Sequence, residues 1–212
     1  MLISAFFLLA TYLLGSVPFG YLFTKCGTGK NILELGSMSI GSTNVERVAG
    51  KNIALLTQVC DILKGFLPIG ITILLQKKNI IFFEDYFIYF IALAAILGHN
   101  FSVFLKLKGG KGVNTTLGAS FLLAPIQVLV SVIIFFVVKW LTKYVSIGSI
   151  CLGVSLPLTG LFFPMSYCYY YLITVALLII IMHIPNIRRL IHGHENVSSC
   201  QQKKYKNTKS VE

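Results

Sequence analysis

The chain has 212 residues, of which 56% are hydrophobic and only 12% are charged, and its formal net charge is +11. A soluble globular domain carries about 25% charged residues, so this composition excludes that class. The net charge would suggest nucleic acid for a soluble protein, but basic cytoplasmic loops and anionic lipids account for it in a membrane protein. We therefore expect membrane lipids as neighbours and no nucleic-acid partner. The five cysteines are scattered without metal-like spacing, so no metal site is predicted.

The apolar residues come in long blocks that are almost free of charge. They cover residues 2–23, 53–75, 86–105, 117–138 and 144–187. About 20 apolar residues span a bilayer as a helix, so the sequence predicts an all-α, polytopic transmembrane helical bundle. The first block has no basic segment before it and no cleavage site followed by a soluble domain. This favours a retained first helix over a secretory signal.

The segments between the blocks differ in their content of lysine and arginine. Residues 24–52, residues 106–112 and the tail after the last block are the richest. Because basic loops remain in the cytoplasm, we predict that the N-terminus lies outside and the C-terminus in the cytoplasm. Four crossings then leave residues 139–143 outside. Three short spans within 144–187 return the chain to the cytoplasm, which gives about seven helices.

The first basic segment contains ELGSMSIGSTNVERVAGK, residues 34–51. Loops rich in glycine, serine, threonine and asparagine present backbone N–H groups and hydroxyls to an anion. Arg47 adds a planar fork that matches phosphate. The segment therefore indicates an anion site, and the alternative is a flexible polar connection whose cations face the cytoplasm.

Two charged residues interrupt the second block, in DILKGF. Asp61 and Lys64 are three residues apart and therefore share one helix face. Charged groups within a span usually face a cavity or a partner. We interpret the pair either as support for the site or as a structural salt bridge. His99, which ends the third block, is more typical of a structural hydrogen-bonding residue than of a catalyst.

The second basic segment, KLKGGKGVNTT, covers residues 106–116. Gly109, Gly110 and Gly112 allow a tight turn and a close approach to a ligand. Lys111 lies within the turn, and the next helix should begin directly after it, with its positive end towards an anion. The spacing is not that of a Walker A loop. The alternative is a glycine-rich hairpin with surface lysines.

The last block closes with HIPNIRRLIHGHE, in which His183 and Asn186 are one helical turn apart. They either cap the helix at the interface or face the two polar loops. We expect residues 1–195 to form a single transmembrane domain and residues 196–212 to form a basic, polar, disordered cytoplasmic tail.

Taken in order, these segments resemble the bacterial membrane glycerol-3-phosphate acyltransferases that use acyl phosphate as donor, the PlsY family. The resemblance rests on LLGSVPFGY, GSMSIGSTNVERVAGK, DILKGFLP, LGHNFSVFLKLKGGKGV and HIPNIRRLIHGHE. It covers about residues 10 to 195 and implies a seven-helix bundle with a cytoplasmic site. The implied reaction moves an acyl group from acyl phosphate to the 1-hydroxyl of sn-glycerol 3-phosphate. It yields lysophosphatidic acid and phosphate, the first step of phospholipid synthesis, without a cofactor or a metal.

The resemblance also implies roles for individual residues. The catalytic group would be Ser37, Arg47, Lys111, His183 and Asn186, of which Arg47 and Lys111 bind phosphate. The substrate-binding or phosphate-binding group would be Thr43, Asn44, Gly109, Gly110, Gly112 and Ser149. Asp61, Lys64 and His99 would support the site from behind. The implied location is the bacterial cytoplasmic (inner) membrane, and the enzyme that makes acyl phosphate is a possible partner.

The chain departs from the family pattern at several positions. Met38 stands where the first motif has glycine, and Ser39 and Ser42 replace asparagine and alanine. Ile184 and Pro185 replace Arg-Glu in the closing motif. Since methionine permits fewer backbone angles than glycine, we expect a reshaped loop.

Two questions stay open at the level of sequence. The proton of the glycerol hydroxyl passes either to His183 or to a substrate phosphate, and the lack of a carboxylate partner for the histidine favours the phosphate. A small-anion transporter and a non-catalytic membrane assembly subunit are the alternative functions. A transporter of this kind often has internal repeats, and none is visible.

Overall fold

In a computed structural model that describes residues 2–164 and 166–197, the chain forms ten α-helices and no strand. The helices are α1 (Leu2–Ser16), α2 (Phe19–Thr28), α3 (Ser42–Ala49), α4 (Lys51–Lys77), α5 (Phe87–Asn100), α6 (Val113–Phe121), α7 (Pro125–Thr142), α8 (Val145–Gly160), α9 (Tyr167–Met182) and α10 (Ile184–Ile191). The predicted all-α class is confirmed. Of the predicted tail, residues 198–212 lie outside the described residues.

Four segments are long and apolar enough to cross a membrane: α1 with α2, α4, α5 with the short turn after it, and α7. A fifth is formed if α9 and α10, which meet at a bend of 51°, count as one span. Helix α8 is apolar but has only 16 residues. The prediction of a multi-pass membrane protein is confirmed by these segments.

The helices alternate in direction, so their connections gather at two ends of the bundle. At the far end, defined as residues 2–7, 78–86, 122–124, 161–164 and 166, the Phe7 and Phe83 rings are 5.3 Å apart. There the Cys168 thiol donates to the Leu123 carbonyl oxygen at 3.7 Å. We call the opposite end, residues 29–50, 101–112, 143–144 and 183–197, the site end.

The prediction that residues 139–143 lie opposite the other basic loops is wrong. Lys139 and Val145 line the same cavity as Arg47 and Lys111, so the α7–α8 connection belongs to the site end. The reason is that block 117–138 is not one span: its first part ends α6 at Phe121, and α7 begins at Pro125. Proline is well suited to the first turn of a helix because that position needs no N–H partner.

The same break changes the interpretation of block 144–187. It contains two long helices, α8 and α9, instead of three short spans. Among the described residues, seven helical segments run between the two ends: α1 with α2, α4, α5, α6, α7, α8 and α9. The number equals the predicted one, although two of the segments are placed differently.

Small residues set the closest helix contacts. A side chain at Gly15 would collide with Ala95, and one at Gly98 would collide with the backbone of α1. Gly65 and Gly118 make the corresponding close approach between α4 and α6. Where lipid surrounds a bundle, such packing replaces the hydrophobic effect as the force between helices. It also brings the loop after α5 and the start of α6 against α4, where the cavity lies.

Candidate functional site

A cavity of about 790 Å³ opens at the site end, between α3, α4, α6, α7, α8 and the chain after α9. Most of the predicted site residues line it: Ser37, Thr43, Asn44, Arg47, Asp61, His99, Lys111, Gly112, Ser149, His183 and Asn186. Three predicted residues, Lys64, Gly109 and Gly110, do not. Segments more than 140 residues apart in the chain thus meet around one space.

Asn44 organises the serine-rich loop before α3. It is 1% exposed, and its amide donates to the carbonyl oxygens of Leu35 at 3.0 Å and Ser39 at 2.9 Å. Its side-chain oxygen accepts from the Ser37 N–H at 2.9 Å. Because these groups are engaged within the loop, Asn44 shapes the loop around Ser37, which differs from the predicted role in binding substrate.

The loop turns through two residues with positive φ, Gly36 at 61° and Met38 at 55°. A non-glycine residue in this region is uncommon and carries a modest strain. The methionine that replaces the family glycine has therefore kept the glycine-like backbone. Its side chain is 64% exposed, so the strain is not offset by burial.

Two helices begin at the cavity, and both have glycine at the N-cap. Gly41 precedes α3 and Gly112 precedes α6, and neither helix has a side-chain cap. The first N–H groups of a helix lack intrahelical acceptors and carry the positive end of the dipole. Asn114 donates to the Ser42 hydroxyl at 3.3 Å and so joins the two helix starts. Helix starts of this kind are suited to binding an anion through their backbone N–H groups.

The glycine turn has a different role from the predicted one. The N–H groups of Gly109 and Gly110 donate to the carbonyl oxygens of Asn100 at 3.1 Å and His99 at 3.0 Å. Both N–H groups therefore form hydrogen bonds with the end of α5 and do not point at a ligand. A side chain at Gly110 would collide with the His99 ring. These glycines let the turn lie flat on α5, and Lys111 projects from it into the cavity.

Four cations of the described residues line the cavity, Arg47, Lys51, Lys111 and Lys139, and burial affects Arg47 and Lys111. Burial lowers the pKa of Lys111 to about 8, with Glu195 opposing and Arg189 and Arg47 reinforcing the change. Burial also lowers the pKa of Arg47, and Glu195 opposes it. The Arg47 guanidinium donates from Nη2 to the Val197 carbonyl oxygen at 3.4 Å. Two partly desolvated cations near one another favour a ligand with more than one negative charge.

His183 lies at the bend between α9 and α10 and is 1% exposed. Its Nδ1 is 2.8 Å from the Ile179 carbonyl oxygen. A carbonyl only accepts hydrogen bonds, so Nδ1 carries a proton, and in the neutral ring Nε2 has the lone pair. Ser149 donates to the Val145 carbonyl oxygen at 3.0 Å, which leaves its hydroxyl oxygen able to accept.

Glu195 is the residue of this site that the sequence analysis did not single out. Asn186 donates to its Oε1 at 2.6 Å and Arg189 to its Oε2 at 2.8 Å. Burial alone would raise the pKa of Glu195, but these two hydrogen bonds hold it below its usual value. Its acidic character within a basic segment is the signal that could have identified it.

The chain beyond Glu195 also belongs to the site. Asn196 lines the cavity and the Val197 carbonyl contacts Arg47. Residues 196 and 197, which follow the predicted domain boundary, thus lie against the cavity.

Asp61, Lys64 and His99 form a buried cluster at the cavity wall, which Asp61 and His99 line and Lys64 does not. Asp61 Oδ1 is 3.0 Å from Lys64 Nζ and 3.6 Å from His99 Nδ1. Lys64 also donates to the Val17 carbonyl oxygen at 3.0 Å, in the break between α1 and α2. The geometry fits both interpretations of the Asp61–Lys64 pair. The pair is a structural salt bridge, and it also supports the site by holding α4 under the glycine turn.

One wall of the cavity is apolar. It is built from Leu55 and Ile62 on α4, Leu117 on α6, and Val132, Phe135, Phe136 and Leu152 on α7 and α8. Leu55 and Phe136 are each 59% exposed, so this wall reaches the rim of the cavity. The space thus joins a cationic region to an apolar one. Within residues 2–164 and 166–197, no group of three or more metal-ligating side chains occurs.

Comparisons with known proteins were made for the whole chain. The model of a family described as glycerol-3-phosphate acyltransferase matches residues 5–193. A glycerol-3-phosphate acyltransferase of Clostridium acetobutylicum is 42% identical over 198 residues, which cover 92% of this chain and 100% of that protein. One of Endomicrobium trichonymphae is 40% identical over 207 residues, which cover 96% of this chain and 100% of that protein.

Two solved structures are also similar. The glycerol 3-phosphate form of PlsY (YgiH), an integral membrane glycerol 3-phosphate acyltransferase, has a TM-score of 0.85 at 33% identity and covers 95% of this chain and 98% of that one. Its lysophosphatidic acid form has a TM-score of 0.79 at 33% identity and covers 92% and 94%. The likeness therefore includes the helices that surround the cavity.

Proposed function

The chain belongs to the glycerol-3-phosphate acyltransferase family, and we propose that its cavity joins a fatty acyl group from acyl phosphate to the 1-hydroxyl of sn-glycerol 3-phosphate. The products are lysophosphatidic acid and inorganic phosphate. The names of the relatives and the two liganded forms of PlsY support the acceptor and the lipid product. Acyl phosphate as donor rests on the resemblance of the sequence motifs.

One observation supports the proposal above the others. Two uncapped helix starts, at Gly41 and Gly112, and two cations, Arg47 and Lys111, surround a single space whose other wall is apolar. Both substrates carry phosphate, and the donor also carries a long apolar chain. A site for the reaction must hold two anions close together beside a hydrocarbon surface, and this cavity has both features.

The chemistry needs little more than positioning. Acyl phosphate is a mixed anhydride with a good leaving group, so no covalent intermediate with the protein is required. The glycerol oxygen forms a bond to the acyl carbon, the bond from that carbon to the phosphate oxygen breaks, and the departing phosphate takes the hydroxyl proton. Arg47, Lys111 and the helix starts stabilise the charge that grows on the phosphate.

His183 would orient the attacking hydroxyl. With Nδ1–H donated to the Ile179 carbonyl oxygen, the Nε2 lone pair can accept the hydrogen bond of the glycerol 1-hydroxyl. Among the described residues, no carboxylate is paired with the His183 ring, so nothing there would stabilise it as a cation. This favours the phosphate over His183 as the final proton acceptor. Asn186 and Ser149 would complete the contacts to the glycerol backbone.

The proposed location is the bacterial cytoplasmic membrane, with the site end towards the cytoplasm. The substrate glycerol 3-phosphate is a soluble metabolite, so the cavity must open to the cytoplasm. The acyl donor is an amphiphile and would arrive through the membrane or directly from the enzyme that makes it.

The test is to incubate detergent-purified protein with palmitoyl phosphate and labelled glycerol 3-phosphate, with acyl-CoA as the control donor. We expect labelled lysophosphatidic acid from palmitoyl phosphate alone. Arg47→Ala and Lys111→Ala should each reduce the rate by about 100-fold or more, whereas Lys108→Ala, an exposed lysine of the same turn, should not. Formation of lysophosphatidic acid from acyl-CoA alone would refute the donor. No product from either donor would favour a transporter or an assembly subunit.

A further inference from the structure

Lys139 is a further cation of the cavity that Arg47 and Lys111 line. It lies on α7 and lines the cavity together with Val132, Phe135 and Phe136. These positions recur at the spacing of one helix face. The ammonium group lies 5.8 Å from the centre of the Phe135 ring. Lys139 therefore continues the apolar wall towards the site end.

Lys139 is distinguished by its place at the end of the apolar face of α7 and not by its pairing. Glu195 pairs with Arg189 and influences Arg47 and Lys111. In residues 2–164 and 166–197, no acidic side chain forms an ion pair with Arg47, Lys51, Lys111 or Lys139. A cation at the end of an apolar wall matches a ligand that carries a negative group at one end of a hydrocarbon chain. It does not match a small, fully polar anion such as glycerol 3-phosphate.

We propose that Lys139 binds the phosphate of the acyl donor from the side of the apolar wall and thereby sets the affinity for the donor, while Arg47 and Lys111 hold the acceptor and stabilise the charge that grows on the same donor phosphate as it departs. This inference rests on the proposed function, since it concerns the same cavity. The chain of the donor would lie along Val132, Phe135 and Phe136, and its head would reach Lys139 before the reacting carbon meets the acceptor. The product lysophosphatidic acid has the same two features as the donor, an anionic phosphate and an acyl chain.

The experiment compares wild-type protein with Lys139→Gln, Lys139→Arg and Lys143→Gln in mixed micelles. Lys143 is the matched control because it caps the same helix, is exposed and does not line the cavity. Initial rates are measured with palmitoyl phosphate varied at saturating glycerol 3-phosphate, and then the reverse. The inhibition constant of lysophosphatidic acid is measured in parallel.

For Lys139→Gln we expect the KM for palmitoyl phosphate to rise about tenfold, as for the loss of one charged hydrogen bond. The kcat and the KM for glycerol 3-phosphate should stay within about twofold of wild type, as for a contact equally strong in the ground and transition states. Lys139→Arg should restore the donor KM, and Lys143→Gln should behave as wild type.

Three results would overturn the inference. The first is an unchanged donor KM in Lys139→Gln, or an equal change in Lys143→Gln. The second is a rise confined to the KM for glycerol 3-phosphate. The third is weaker inhibition by lysophosphatidic acid with an unchanged donor KM, which would assign Lys139 to the product. A wild-type protein that cannot use palmitoyl phosphate at all would instead refute the proposed donor, and this is established before any variant is compared.

Discussion

Met38 is a non-glycine residue with a backbone conformation that is typical of glycine. It adopts φ of 55°, in the region where glycine is the usual residue, and its side chain projects away from the loop. The turn is held by Asn44, which bonds the backbone on both sides of Met38. A strained conformation persists when its surroundings determine it in this way.

We expect Met38→Gly to retain full activity and Met38→Val to lose at least about tenfold. Glycine adopts the positive φ without steric cost, whereas a β-branched residue is a genuine outlier there. The measurement is the initial rate of acyl transfer, with thermal unfolding in detergent to show that both variants fold. Equal activity of the two variants would mean that the conformation of this turn does not matter for catalysis.

Lys111 makes the site sensitive to pH. Its pKa is lowered to about 8 by burial, so the side chain is charged below that pH and becomes neutral above it. Binding of an anion to the free protein should therefore weaken as the pH rises. We expect kcat/KM for glycerol 3-phosphate to be constant below about pH 8 and to fall about tenfold per pH unit above it.

The matched variant for this profile is Lys111→Arg, since arginine stays charged beyond about pH 12. It should be less active, because lysine and arginine differ in shape, but its profile should be flat up to about pH 9. A wild-type profile without a break, or the same break in Lys111→Arg, would show that another group titrates.

The composition of the sequence predicted a helical bundle, but it did not predict every point at which one helix ends and the next begins. Long charge-free blocks predicted α1, α4 and α5 because lipid requires continuous helix. The break between α6 and α7 falls within such a block, at Leu122–Ala124. No charge marks it, since this turn is packed against α9 at the far end instead of lying in a polar loop.

The candidate site, like the helices, was predicted in part from the sequence. Its cations and its polar loops were visible in the sequence because buried charge and glycine are conspicuous in an apolar chain. The hydrogen bonds of the Gly109 and Gly110 N–H groups were not visible in the sequence, because their acceptors on α5 are defined only by tertiary packing. Glu195 was visible in the sequence as an acidic residue in a basic segment, but its contacts with Asn186 and Arg189 are defined only by the fold.

The Asp61–Lys64 pair couples α4 to the break between α1 and α2. Its side chains are 2% exposed or less, so removing one partner leaves the other buried without its nearest counter-charge. We expect Asp61→Leu and Lys64→Met each to destabilise the protein by about 3 to 5 kcal/mol. The double variant should be less destabilised than the sum of the two.

The measurement is unfolding in detergent, and Lys77→Met, an exposed change on the same helix, is the control. Additive losses in the double variant would mean that the two side chains do not stabilise each other. A loss of activity without a loss of stability in either single variant would assign the residue to the reaction itself.

For the whole molecule, the distribution of charge decides the orientation. Eleven lysines and arginines of the described residues lie at the site end or next to it, namely Lys25, Lys30, Arg47, Lys51, Lys106, Lys108, Lys111, Lys139, Lys143, Arg188 and Arg189. Lys77 and Lys78 are the ones near the far end, where Glu84 and Asp85 offset them. The positive-inside rule therefore favours a cytoplasmic site end more strongly once residues 139–143 are placed there.

This topology predicts which positions an impermeant thiol reagent reaches in intact cells. In a variant without native cysteines, Asn79→Cys should be labelled from outside, because residue 79 lies at the far end. Lys108→Cys and Lys143→Cys should be labelled only after the membrane is permeabilised, and retained acyl transfer should show that each variant is folded. Labelling of residue 143 from outside, with residue 108 protected, would separate the α7–α8 connection from the glycine turn. Lys139 and Lys111 could not then share a cavity, and the proposed contact of Lys139 with the donor would fail together with this arrangement of helices.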